Sequence, residues 1–253
     1  MKELLKYEFR KTWTAKLLVL GITAVVEIAF LIGIVIGDTK DAGMQLIGVS
    51  APLLAMIAMA GIMYIGIQSV VILHRDMNTK QGYMLYMTPR NSYQILGAKF
   101  MENGISLILA GAMFFLLALL DVSLLFSRFG QLDQLWEMGK KFLQMMNAEV
   151  ELNWQVFLIM SITLLTSWLA TVAIAYLADI VSSALLNGKK GNGLLSFLFF
   201  VLLSILMSWL QNLVRGPGMA VTDWMLLESG IAILFSAAMF FSSAYIMDRY
   251  LSV

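Results

Sequence analysis

The sequence predicts an all-α polytopic membrane protein, and three observations carry that prediction: the apolar fraction, the length of the apolar runs and their continuity. Of 253 residues, 60% are hydrophobic and 13% charged, with a mean hydropathy of +0.83; a soluble domain is nearer a quarter charged. Six runs reach the roughly 20 residues needed to cross hydrocarbon: 17–36, 49–73, 100–126, 154–180, 194–213 and 224–247. None shows the apolar-polar alternation of a barrel strand, and lipid offers backbone amides no partner, so each run is expected to be a helix in one transmembrane domain over 1–253.

The elements follow in order. The opening MKELLKYEFRKTWTAK carries Leu5, Phe9 and Trp13 at four-residue spacing with Lys2, Lys6, Arg10 and Lys11 largely elsewhere on the wheel, which predicts an amphipathic interfacial helix over 1–16. It is too charged for the start of a cleaved signal, so the run 17–36 is expected to be a retained first span. Between the second and third spans stands a polar passage, 74–99, and between the third and fourth a longer one, 127–153. In the latter, Leu132, Leu135, Trp136, Phe142 and Met146 fall near one helical face, as in an amphipathic helix. The remaining breaks are NGKKGNG at 187–193 and a Gly-Pro-Gly within 211–223.

Six spans place both termini on one side. With that side cytoplasmic, twelve of the 17 Lys and Arg lie inside and five outside, in keeping with the positive-inside rule. Both termini and the passage 74–99 are therefore expected in the cytoplasm. The 127–153 segment then lies outside.

The chemistry that the chain excludes is extensive. It has no Cys and a single His, His74, so disulfides, thiolate metal sites and histidine clusters are ruled out. No phosphate-binding loop, zinc-protease motif or nucleophile elbow occurs, and NGKKGNG lacks both the leading Gly and the Ser or Thr that would hold magnesium. Nothing supports nucleic-acid binding, and the chain is expected to be neither an enzyme nor a binder of any cofactor. Within the spans the conspicuous group is Glu27, near the middle of the first; a charge there costs about 2.5–3.5 kcal/mol on insertion scales and must face a polar contact, a pathway or a proton-coupling site. Gln68 is its candidate partner, while Asp121, Asp179 and Glu228 lie nearer span ends.

The passage 74–99 contains NTKQGYMLYMTPRNSYQILGAKF, in which Gly82, Leu85, Pro89, Arg90, Ile95, Leu96, Gly97 and Lys99 fall in an order that resembles the first cytoplasmic loop of permeases from type 2 ATP-binding cassette exporters. The family's usual Gly-Thr is Gly82-Tyr83 here, and its Ser-Arg after Pro becomes Arg90, Asn91, Ser92. The resemblance implies a coupling helix whose Thr79, Gln81, Gly82, Tyr83, Leu85, Tyr86, Pro89 and Arg90 dock a separate ATPase subunit, with Pro89 opening the next helix and Thr88 capping it. It further implies a second permease chain, identical or a sister. ATP and magnesium would be held by the partner, in a bacterial plasma membrane, and the exported substrate would be amphipathic or hydrophobic: a drug, lipid or antimicrobial peptide, with a role in resistance or self-immunity. Two other readings remain open at this point, a non-transporting assembly or sensory partner using 127–153, and an ion-coupled secondary transporter using Glu27.

Overall fold

The computed structural model describes residues 2–37, 41–78, 91–129, 154–186, 191–216 and 218–251. Among them are six α-helices: α1 Lys2–Ile36, α2 Asp41–Asn78, α3 Ser92–Phe129, α4 Trp154–Leu186, α5 Asn192–Val214 and α6 Val221–Ile246. The last continues into a π-helical turn, Met247–Leu251. All six are long and apolar enough to cross a membrane, as an all-α polytopic membrane protein requires. The helices outrun the apolar runs that announce them. At 1.5 Å per residue the 38 residues of α2 and of α3 extend about 57 Å, well beyond the roughly 30 Å of hydrocarbon.

Two expected boundaries are corrected. The amphipathic opening is not a separate helix, because Lys2–Ile36 is one uninterrupted α-helix. On the Leu5–Phe9–Trp13 stripe Trp13 is exposed and Leu5 and Phe9 are half-buried, while Glu8 is buried at 5% exposure. At the start of α3 the helix opens at Ser92 after Asn91, whose carbonyl accepts from Gln94 and whose Oδ1 accepts from the Tyr93 amide at 3.5 Å. Asn91 thus takes the capping role expected of Thr88. Thr88 and Pro89 lie outside the described residues.

The chain divides into two compact units. One comprises Met1–Lys11, Gly66–Ile105 and Leu152–Val253, and the other Thr12–Ile65 and Ser106–Glu151. In the first unit α4 is central and packs on both α6 and α5. Its buried Ala170, Ala173 and Ala178 let neighbouring backbones approach, as small residues do between helices in lipid. Leu73 of α2 and Ile95 and Leu96 of α3 close on Val172, Tyr176 and Ile180 of α4 and on Ala244 and Met247. A second cluster of Ala170, Ile174, Met207, Ala232 and Phe235 joins α4, α5 and α6. Polar ties supplement this packing: Thr163 Oγ1 lies 2.9 Å from Ser229 Oγ between α4 and α6, and Tyr176 hydrogen-bonds Ser69 between α4 and α2. Tyr176→Phe is expected to lower stability by about 1 kcal/mol. Thermal unfolding in detergent checks it, and Ser69→Ala should add little on top of the first change.

The second unit has a smaller core of Val19, Ile65 and Ala110 with Ile62 and Phe114. Gly61 matters there, since a Cβ on it would stand 2.7 Å from Val19 Cγ1. Val25, Met56, Met59 and Leu116 of this unit are exposed, the pattern of side chains that meet lipid tails.

Candidate functional site

Four acids and bases meet inside the first unit where helix ends converge. Glu8 and Lys11 stand three residues apart on α1, Asp76 on the last turns of α2, and Lys99 in the third turn of α3. Lys99 Nζ donates to Glu8 Oε1 at 2.9 Å and to Asp76 Oδ2 at 2.7 Å, while Lys11 pairs with the other oxygen of Asp76. Glu8, Asp76 and Lys99 are 5%, 3% and 2% exposed, so the charges are held out of solvent and must satisfy one another. Asp76 therefore receives an ammonium on each oxygen and binds α1, α2 and α3 together.

The junction surrounds the roots of the passage expected to dock a partner. Residues 79–90 leave from α2 just after Asp76 and rejoin the described chain at Asn91, before Ser92 and Lys99. Ser92 Oγ donates to Asp248 Oδ1 at 3.0 Å, which ties the start of α3 to the π-helical turn after α6. Thr79, Gln81, Gly82, Tyr83, Leu85, Tyr86, Pro89 and Arg90 themselves lie outside the described residues, as does 130–153 of the long polar segment.

Two residues before Asp76, His74 Nδ1 lies 2.5 Å from Asp179 Oδ1 of α4. The pair lines a cavity of about 390 Å³ between α2, α4 and α5. Each helix offers one stripe at helical spacing: Ile67, Val70, Val71 and His74 from α2; Trp168, Thr171, Val172, Ala175 and Asp179 from α4; Gly193, Ser196, Phe197 and Phe200 from α5. Gly66 shapes the far end. A Cβ on it would stand 2.3 Å from the Trp168 ring, so the missing side chain lets α2 and that indole meet. Gly66 O also accepts from Asn103 Nδ2 of α3 at 3.2 Å.

The α5 end of the cavity begins with the NGKKGNG turn. Gly191 has φ 108°, a conformation that favours glycine, and its carbonyl accepts from Leu194 and Leu195 to start the helix. Asn192 Nδ2 then donates to Ser183 Oγ at 2.8 Å, fastening α5 to α4. The described part of this turn thus has a structural role.

Of the intramembrane candidates, Glu27 is in the second unit beside Asp121, with Glu27 Oε2 and Asp121 Oδ1 both buried and without a hydrogen-bond partner. Gln68, its expected partner, belongs to the first unit. The ion junction itself was not singled out from the sequence. One signal announces it: Lys99, Glu102, Asn103 and Ser106 recur at i, i+3, i+4 and i+7, a polar stripe running into an apolar helix, and all four are buried. Among the described residues, no group of three or more His, Asp and Glu side chains is placed to hold a metal ion. No protein-family model, curated protein or solved structure matches the chain.

Proposed function

We propose that the chain is the membrane-spanning permease subunit of an ATP-driven exporter, paired with a second permease chain and with separate ATPase subunits that dock on 79–90 from the cytoplasm. One observation supports this reading above the rest: both roots of that passage are anchored, Asp76 to Lys11 and Lys99 by ion pairs on one side and Ser92 to Asp248 by a half-buried hydrogen bond on the other. Within the first unit, a push on the passage would be passed to the segments of α1, α2 and α3 and to the turn after α6 that these contacts hold. The ATPase subunits would drive alternation of the pathway by binding its two states unequally. The substrate class is amphipathic or hydrophobic.

The test is co-purification with a span-less ATPase carrying a phosphate-binding loop, encoded beside this chain. Wild type is expected to hold the ATPase and stimulate hydrolysis, and Tyr83→Ala with Leu85→Ala to weaken the association by at least about tenfold, the loss of about 1.4 kcal/mol or more. A double variant that associates and hydrolyses as wild type would overturn the docking role. The neighbouring carboxyl groups of Glu27 and Asp121 favour a second reading, an ion-coupled secondary transporter. Unchanged transport by Glu27→Gln would remove it.

A further inference from the structure

Asp179 is 2% exposed and lines the cavity between α2, α4 and α5. One of its oxygens is held by His74, which fixes the carboxylate in place. The other, Oδ2, is buried without a hydrogen-bond partner. Buried polar atoms are almost always paired, and a carboxylate oxygen left bare in an apolar wall is a costly arrangement unless something arrives to meet it.

The rest of the lining decides what that something is. Among the described lining residues only His74 and Asp179 ionise, and none is Lys or Arg. Trp168, Phe197 and Phe200 supply aromatic surface. Ring faces and a carboxylate oxygen both attract an ammonium group, which also brings the N–H that Oδ2 lacks. An anionic head would meet the repulsion of Asp179, offset among the described lining residues by His74 alone, which is already engaged with Oδ1. Beyond the polar pair the wall is apolar along the α2 and α4 stripes. Trp168 lies eleven residues before Asp179, about 16 Å along the helix, so there is length for an extended hydrocarbon chain. The volume is near the lower end of the about 300–1,000 Å³ usual for small-molecule sites, which suits one chain with a compact head.

We infer that this cavity binds a single-chain amphiphile bearing a primary ammonium group, whose N–H donates to Asp179 Oδ2 while the chain lies along α4 toward Trp168. The assignment rests on the exporter reading for its purpose, since it names the class of molecule carried. Its measurement does not, because binding is read on the chain alone and ATPase docking on the complex, so either result stands without the other.

The probe is radiolabelled dodecylammonium, titrated onto the full chain in phosphatidylcholine nanodiscs with empty discs subtracted. Saturable binding is expected, weakened at least about tenfold in Asp179→Asn, which keeps an oxygen for His74 but presents an N–H donor to the ligand. Ala175→Leu, filling the middle of the cavity, should do the same. Dodecyltrimethylammonium, with the charge but no N–H, is expected to bind about tenfold more weakly than dodecylammonium, and dodecanoate not to saturate. Undiminished binding to a normally unfolding Asp179→Asn, or equal binding of dodecanoate, overturns the assignment. The wild-type titrations decide the matter by themselves if that variant does not fold. Adding phosphatidylethanolamine to the discs should change nothing, and competition by it would overturn the single-chain ligand in favour of a membrane lipid.

Discussion

Lys99→Met is expected to destabilise the protein by about 3–5 kcal/mol, the largest effect of any single change in the ion junction. The ammonium is enclosed at 2% exposure and serves two carboxylates, so its removal strands Glu8 Oε1 and Asp76 Oδ2 out of water. Lys11 stays on the other oxygen of Asp76 and limits the loss there. Unfolding in detergent by heat or denaturant measures the change. Coupling gives the sharper outcome: adding Glu8→Gln to Lys99→Met should recover part of the loss, because the second change removes a charge that the first left uncompensated. Additive losses would mean that the pair does not interact as the geometry requires.

Gly66→Leu is expected to be the next most damaging change, and Gly66→Ala to cost about 1–3 kcal/mol. The first added carbon already falls within 2.5 Å of three atoms of the Trp168 indole. That ring is held on one side by the cluster built around Leu73, Val172 and Tyr176 and can yield only toward the cavity it lines. The same glycine's carbonyl accepts from Asn103, so displacing α2 also breaks a tie to α3. Combining Gly66→Ala with Trp168→Leu should restore a substantial part of the stability, whereas Gly21→Ala, at a position with open space around it, should be nearly silent. Thermal unfolding of the four variants reads both expectations.

Both predictions rest on residues whose partners are distant in the chain, and that separation marks the limit of what the sequence disclosed. Six spans were legible because hydrocarbon thickness imposes a run length that each helix satisfies by itself. Their ends were less so: α2 and α3 continue past the apolar runs with residues such as Asp76, Asn78, Ser92 and Lys99, whose polarity reads as loop until their partners are known. Lys11, counted as a headgroup-facing charge, is instead held by Asp76, 65 residues later. The Leu5–Phe9–Trp13 stripe was read as facing the interface, and Trp13 is indeed exposed; what the pattern did not announce is the buried Glu8 on another face of the same helix. Glu27 was singled out as an intramembrane acid, yet Asp121, which stands beside it, had been set aside as lying near a span end. His74 and Asp179, 105 residues apart, shared no local pattern that would join them.

Because His74 is the sole histidine of the chain and stands against Asp179 in the cavity wall, isotope labelling of that one amino-acid type yields a single imidazole resonance. The protein thus carries its own site-resolved reporter. The shift of that one signal follows whatever enters between α2, α4 and α5 without a tag, a dye or a substitution.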